Sequence, residues 1–344
     1  EITLLTRRGV KIHPSSGGQF SGVVNTLKSW LSIEDQIQQL AGRGMQIPDH
    51  AQAEHALATI GYYRLSGYWY PYREPDPSDP YRRLDTFLPG TDFSEVIGLY
   101  DFDRALKTQV LHGIERVEVA FRSRIGYLIG KHGALAHTDS TRFRSTFDHA
   151  KWWGTAQRRI NRARGRDETV DHHDKYYGGD IPIWVLTDLL DFSDLSMLYA
   201  GMIANDQKEL AQWFKVTVAP GASRSARQAW ARRPPLVNWL EHLTIVRNIC
   251  AHHGRLWNRR LTPLGVPLRI HHLPVFSEVV ATFDPTRPDA HQIERVFGTI
   301  CVISYLLESV EPGNKWRKSI DKLVDASFPG GHHRSVAEMG FPNP

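Results

Sequence analysis

Apolar residues recur every three or four positions along most of the chain, which is the spacing of helices with one buried face. The clearest run predicts a long helix with its N-cap at Asp92. Its buried stripe comprises Leu106, Val110, Ile114, Val117, Phe121, Ile125 and Leu128. The basic residues expected beside it, open to solvent, a partner chain or RNA, are Arg104, Lys107, Arg116, Arg122 and Arg124. No convincing strand pattern and no internal repeat is present, so the sequence predicts an all-α protein.

Capping residues and breakers place the first helices. Ser32 caps a helix that stops near Gly42, and Asp49 caps a second one that ends at Gly61. The proline-rich stretch 75–80 is interpreted as a turn-rich connector.

Three further segments follow in the second half of the chain. Pro182 opens a predicted helix that runs through to Tyr199, and an irregular basic segment extends from Pro220 to Arg233. Pro235 then lies in the first turn of a helix that ends in the string Val246–Arg259. A last hydrophobic helix is marked by Phe283, Ile293, Val296, Phe297, Ile300, Val302, Ile303 and Leu306.

These elements suggest four parts. Residues 1–27 form a polar arm, residues 28–90 a helical and aromatic N-terminal lobe, residues 91–310 a helical core with irregular basic insertions, and residues 311–344 a tail that packs on the core.

Composition narrows the class of protein. With 344 residues and 41% hydrophobic content the chain can bury a large core, and its formal net charge of +5 is modest. Cys250 and Cys301 are too few for a disulfide framework and lack the paired spacing of a zinc site. Because there is no run of about 18 apolar residues and no apolar centre of a signal peptide near the N-terminus, we expect a cytoplasmic protein that does not enter a membrane.

The string at residues 247–259 carries the strongest candidate chemistry. Arg247 and His252 are five residues apart, about 140 degrees around an ideal helix, whereas Asn248 and His252 nearly align. Arg247 and His252 can therefore converge if the last turn unwinds before Gly254, or if two copies of the helix meet across a two-fold axis in a homodimer. A plain helix C-terminus, with Gly254 as a left-handed cap, explains His252 and His253 but not an arginine further upstream.

A guanidinium and an imidazole suit phosphate chemistry. In RNA the 2′-hydroxyl can attack the neighbouring phosphate without a metal ion or another cofactor. His252 would act as general base or acid, Arg247 would stabilise the phosphorane, and Asn248 and His253 would orient the imidazole or grip phosphate. Further RNA contacts are expected from Arg255, Trp257, Asn258 and Arg259.

Two other regions are candidates for RNA contact. The aromatic block at residues 62–73 offers stacking faces beside arginines, and we expect Trp69 to be buried while Tyr62, Arg64 and Arg73 reach RNA. A basic cluster would share one side of a helix, although a solvated helix face or a mobile loop is the favoured interpretation of the cluster taken alone. Its members are Arg158, Arg159, Arg162 and Arg166.

Residues 171–174 could ligate a metal, but a polar loop without metal is the favoured interpretation.

Residues 247–253 and 255–259 resemble the motif of the abortive-infection AbiD/AbiF-like proteins, members of the HEPN ribonuclease superfamily. Blocks in the same order carry the resemblance over nearly the whole chain: 43–45, 60–68, 99–104, 114–118, 182–184 and 339–342. The resemblance implies a HEPN-like helical bundle and metal-independent RNA cleavage at an Arg-x4-His motif, here Arg247 and His252, at a homodimer interface. It also implies a toxin-like role in phage defence that a small non-coding RNA restrains.

Two other functions remain open. The protein could hold a structured non-coding RNA without cleaving it, so that the arginine and histidine only clamp phosphate. It could also be a helical scaffold for protein partners. The RNA substrate, the trigger of activation and the role of the N-terminal arm do not follow from the sequence.

Overall fold

Helices dominate the structure. The computed structural model describes residues 29–218, 221–232, 234–264, 294–329, 331 and 333–342. Within these ranges it contains thirteen α-helices, four short 3-10 turns and one two-stranded sheet, which confirms the all-α fold class. The polar arm at 1–27 and two residues assigned to the last hydrophobic helix, Phe283 and Ile293, lie outside the described residues.

The helices are numbered in chain order. They are α1 (Ile33–Gly42), α2 (His50–Thr59), α3 (Tyr62–Trp69), α4 (Phe93–Gly130), α5 (His149–Ala163), α6 (Glu168–Tyr176), α7 (Ile183–Leu189), α8 (Phe192–Gly201), α9 (Ala204–Trp213), α10 (Arg224–Arg232), α11 (Pro235–Ala251), α12 (Val296–Val310) and α13 (Trp316–Ser327).

The helices that the sequence predicts most clearly have N-cap residues whose side chains accept hydrogen bonds from the first turn. The hydroxyl of Ser32 accepts a hydrogen bond from the Asp35 amide at 3.1 Å, and the Asp49 carboxylate accepts one from the Gln52 amide at 2.9 Å. Asp92 caps α4 in the same way. Each cap satisfies one of the backbone amides that a first helical turn leaves without an intrahelical partner.

The proline-rich stretch is a β-hairpin, which corrects the interpretation as a connector. Strand β1 (Arg73–Asp76) pairs antiparallel with β2 (Asp79–Phe87), with Arg73 opposite Phe87. Phe87 is the only buried residue on the two strands, so neither strand shows the alternation by which a half-buried strand is identified.

Two helix predictions in the middle of the chain are also corrected. The helix predicted from Pro182 to Tyr199 is broken into α7 and α8, because Leu190 is extended and Asp191 begins a new helix. The Asp191 amide donates to the Asp194 carboxylate at 3.1 Å, as in a capping box. In the basic segment expected to be irregular, residues 224–232 form α10.

Helix α4 is the centre of the fold. Its 38 residues span about 57 Å, and its predicted stripe is fully buried against α3, α7, α11, α12 and α13. The contact with α12 and α13 is close at Gly113, where a Cβ atom would lie 2.7 Å from Ile303 and Trp316. A residue with one methyl group more than glycine at position 113 would push the helices apart.

Two of the basic residues expected to be open on α4 form ion pairs with carboxylates of the same helix. Lys107 is buried and pairs with Asp103 at 3.1 Å. Arg122 pairs with Glu118 and donates to the carbonyl of Leu190, where α7 has ended. Lys107 therefore neutralises a buried group instead of facing solvent, whereas Arg122 keeps 17% of its side chain exposed beside its ion pair.

The C-terminal segment packs on the same core. The Trp316 indole donates to the Gln109 carbonyl on α4 at 2.9 Å, and the Phe341 ring lies 4.5 Å from that of Phe297. One continuous cluster of buried apolar residues extends from Ile37 to Phe341. In the described part of the chain, no helix combines the length and apolar character needed to cross a membrane.

Candidate functional site at the end of helix α11

Helix α11 presents a polar face to solvent. This face consists of four exposed residues at helical spacing, namely Glu241, Ile245, Asn248 and His252. The opposite face is buried, and the last residue before the cap that packs inward is Cys250. Burial raises the pKa of the Cys250 thiol to about 12, so Cys250 is a small core residue at neutral pH.

The end of α11 is a Schellman motif. The amide of His253 donates to the Cys250 carbonyl at 3.0 Å, and the amide of Gly254 donates to the Ile249 carbonyl at 2.8 Å. The left-handed residue is His253, with φ 56°, and not Gly254 as the sequence suggested. Gly254 meets a different requirement, because a Cβ atom there would lie 3.2 Å from the Ile249 carbonyl oxygen.

Arg247 and His252 keep the spacing of a regular helix. The helix keeps its regular hydrogen bond between the His252 amide and the Asn248 carbonyl at 3.0 Å, so the last turn is not unwound. Arg247 points towards α4 and lines a surface pocket of about 370 Å³. One of its nitrogens lies 3.5 Å from the side-chain oxygen of Asn248. The remaining lining residues of this pocket are Leu111, Ile114, Glu115, Glu118, Val119 and Arg122.

A buried carboxylate fixes the segment that follows His252. Asp103 of α4 is fully buried and accepts hydrogen bonds from the backbone amides of Leu256 at 3.2 Å and Trp257 at 2.7 Å. Lys107 and the hydroxyl of Tyr68 are its other donors, at 3.1 and 2.7 Å. Burial, together with the nearby Asp103 charge, raises the pKa of Tyr68, so the phenol stays protonated and donates.

Sequence reasoning missed this anchor, although a signal was present. Asp103 is in phase with Leu106 and Val110 of the buried stripe, and Lys107 follows it four residues later. A carboxylate on the buried side of a helix requires donors around it, and the lysine at i+4 is the nearest available.

Helix α3 holds the motif turn from the other side. Arg64 donates to the His253 carbonyl at 2.7 Å, and Arg255 donates to the Gly67 carbonyl. Burial lowers the pKa of Arg255, which is half-buried under this contact. The side chains of Arg64 and Arg255 therefore join α3 to the motif, each by a hydrogen bond to a backbone carbonyl of the other segment.

The expected RNA contacts of the motif fall into two groups. Arg259 is exposed, and Asn258 is half-buried with its carbonyl accepting from Arg295 at 2.6 Å. Trp257 is fully buried, with its ring 6.1 Å from that of Phe328, so the expectation that it contacts RNA is wrong. Its indole belongs to the core.

The aromatic block is largely structural. Trp69 is buried, as expected from the sequence. The hydroxyl of Tyr62 donates to the Gln39 side chain at 3.0 Å, and its ring meets Trp69 edge-on at 4.8 Å. Arg73 forms an ion pair with Asp85 at 2.8 Å and keeps only 13% of its side chain exposed. Both residues are less accessible to RNA than the sequence suggested.

The arginine cluster lies on and just beyond α5, which packs against α7 and α8. Arg159 turns inward and pairs with Asp191 and with Asp194 at the start of α8. Arg158 bonds locally to Thr155, while Arg162 and Arg166 are exposed. No hydrogen bond or ion pair joins the four arginines to residues 247–259 in the described ranges.

Residues 171–174 lie in helix α6, which corrects the interpretation as a loop. Asp171 accepts from the Gly165 amide at 2.7 Å, and Asp174 pairs with Arg164 at 2.9 Å. Searched over the residues that the structure describes, the side chains of His, Cys, Asp and Glu form no group of three or more that could hold a metal ion.

A family model described as Abi-like protein matches residues 55–258, which is more than half of the chain and includes most of the motif. The chain belongs to this Abi-like family. A search of curated proteins and a search of solved structures found no match. Family membership associates the chain with abortive infection.

Proposed function

We propose that the protein is an endoribonuclease of the abortive-infection type that cleaves RNA at Arg247 and His252 without a metal ion. The observation that supports it is the exposed imidazole of His252 at the end of α11, next to a turn that is held by Asp103 of α4 on one side and by α3, through Arg64 and Arg255, on the other. Such preorganisation is what a general acid or base needs.

In the proposed reaction the 2′-oxygen of a ribose attacks the adjacent phosphorus and the bond from phosphorus to the 5′-oxygen breaks. A base accepts the 2′-hydroxyl proton, and an acid donates a proton to the leaving oxygen, so the products are a 2′,3′-cyclic phosphate and a 5′-hydroxyl. His252 serves as one of these groups, which is typically worth about 10² to 10⁴ in rate. Arg247 stabilises the charge of the phosphorane.

The proposed active unit is a homodimer. Because α11 stays regular to its end, Arg247 and His252 of one chain lie on different sides of the helix. A two-fold axis beside the exposed face of α11 would bring Arg247 of one copy towards His252 of the other. Ile245, which is 36% exposed on this face, supplies apolar surface for the contact.

The family resemblance also leads us to propose a restraining small non-coding RNA. The exposed arginines Arg158, Arg162 and Arg166 offer a basic surface for such an RNA away from the motif.

Single substitutions test the assignment. His252→Ala and Arg247→Ala should each abolish cleavage of RNA in the presence of a chelator while leaving the helical circular dichroism unchanged. His55→Ala, which removes an exposed imidazole on α2, is the matched control and should cleave normally. DNA of the same sequence should stay intact, because it lacks the nucleophile. Undiminished cleavage by His252→Ala would refute the assignment.

A second function is favoured by the separation of Arg247 and His252 within one chain. In that case the protein holds RNA and does not cut it. Tight, salt-sensitive RNA binding without cleavage after long incubation would establish this function. No measurable RNA affinity would instead support a scaffold for protein partners.

A further inference from the structure

One exposed aromatic ring stands beside the clamped turn. Tyr63 on α3 is 92% exposed, the highest exposure among the large apolar side chains of the described residues. Its neighbour Arg64 donates to the His253 carbonyl at 2.7 Å. Tyr63 therefore precedes, by a single residue, the contact that joins α3 to the motif.

Helix geometry places the ring on the side of the motif. Tyr63 and Gly67 are four residues apart and share one face of α3, and Arg255 donates to the Gly67 carbonyl. Tyr63 thus projects from the face that meets residues 253–255, one turn away from that junction. Tyr62, by contrast, points back towards α1, with its hydroxyl bonded to Gln39.

The chemistry beside Tyr63 suits a nucleotide. An exposed phenol ring leaves apolar surface in contact with water, which is unfavourable. It also offers a flat π-face of the kind on which unpaired bases stack. The only hydrogen bond of the Arg64 side chain within the described residues uses one terminal nitrogen, so the rest of the guanidinium can face a phosphate. A ring and a cation next to a general acid or base form a subsite for one nucleotide.

We propose that Tyr63 and Arg64 bind the nucleotide next to the cleaved phosphate, with its base stacked on Tyr63, and that the substrate is consequently single-stranded RNA. Bases in a duplex stay stacked on each other and cannot reach the ring. This inference rests on the proposed function, because it uses His252 to define which phosphate is cleaved.

Binding measurements on a cleavage-deficient protein test the subsite. In a His252→Ala background, fluorescence anisotropy gives the Kd for a labelled single-stranded 12-mer RNA and for the same sequence in a duplex. Tyr63→Ala should raise the single-strand Kd about 5- to 150-fold, which corresponds to about 1–3 kcal/mol of stacking. It should leave the duplex Kd unchanged, and Tyr63→Phe, which keeps the ring face, should restore the affinity.

The matched control is Tyr81→Ala on β2, which removes a ring that is 88% exposed on the hairpin. This variant should bind as its parent does. In the cleavage-competent protein, Tyr63→Ala should raise KM for the 12-mer and leave kcat within about twofold, since the stacked base does not take part in proton transfer.

The outcomes separate the two proposals. A single-strand Kd within twofold of the parent, or an equal loss on the duplex, overturns the subsite. Dissociation of a dimer by Tyr63→Ala in sedimentation velocity also overturns it and assigns the ring to a protein interface. Tyr63-dependent binding without any cleavage by the parent protein refutes the nuclease and with it the placement next to a cleaved phosphate, and leaves Tyr63 only as a base-stacking contact. His252-dependent cleavage without a Tyr63 effect keeps the nuclease and refutes the subsite. Absence of RNA binding refutes both.

Discussion

The buried carboxylate of Asp103 offers the sharpest test of how the motif is held. Replacing Asp103 by alanine leaves the ammonium of Lys107 and the amides of Leu256 and Trp257 without their acceptor. All of these groups are buried. Removing one partner of a buried ion pair typically costs about 3–5 kcal/mol, because the remaining charge stays uncompensated. We expect Asp103→Ala to lower the free energy of unfolding by that amount.

The reciprocal substitution should cost less. In Lys107→Met the carboxylate keeps three donors, namely two backbone amides and the Tyr68 hydroxyl, so the expected loss is about 1.5–3 kcal/mol. The double variant should be more stable than the sum of the two single losses implies, by about 1–3 kcal/mol, since the lysine is then no longer left unpaired.

Urea unfolding followed by tryptophan fluorescence measures all three variants, and a change of midpoint at constant slope reports stability. Two results would refute the reasoning. One is a loss below about 1 kcal/mol for Asp103→Ala, and the other is an additive double variant. The first would mean that the carboxylate is hydrated and does not anchor residues 256–257, and the second that Lys107 is not coupled to it.

Three further predictions concern the core. Gly113→Ala should lower stability by about 1–3 kcal/mol through the clash with α12 and α13, and a variant as stable as the parent in urea would contradict this packing. His242 donates from Nδ1 to the Thr262 carbonyl and accepts at Nε2 from the Thr299 hydroxyl, each at 2.8 Å, and burial lowers its pKa to about 4. The neutral form is favoured on folding, so its contribution is complete above about pH 6.5 and is lost as the pH falls towards 4, by about 2 kcal/mol at pH 5. His242→Gln should flatten the pH dependence of stability between pH 6.5 and 5, and an unchanged slope would refute it. Cys250 and Cys301 are buried, so a thiol reagent at pH 8 should label neither in the native protein and both in urea; rapid native labelling would contradict the packing of α11 and α12.

Capping residues and stripe phase explain why much of the fold could be predicted. Asp92 and the stripe behind it define α4, and Pro235 begins α11, because these signals are local to one helix. The break between α7 and α8 was missed although Asp191 and Asp194 have capping-box spacing, since the apolar residues around them continue the helical period without interruption.

The site could be predicted only in part, because its geometry depends on contacts distant in sequence. The residue types at 247–253 indicate phosphate chemistry from the sequence alone. His253 takes the left-handed conformation, and its carbonyl accepts a hydrogen bond from the side chain of Arg64, which is distant in sequence. Such a conformation costs a residue other than glycine about 1–2 kcal/mol, which no local pattern reveals.

The clasp around the motif turn joins parts of the chain that are far apart in sequence. Arg64 reaches a carbonyl 189 residues later, and Asp103 reaches an amide 153 residues later. A fragment that starts downstream of α4 would carry the arginine and the histidine intact but would have lost the residues that hold their turn in place. Cutting the protein in two between these regions and separating the halves would thus remove the support of the turn without altering a single motif atom.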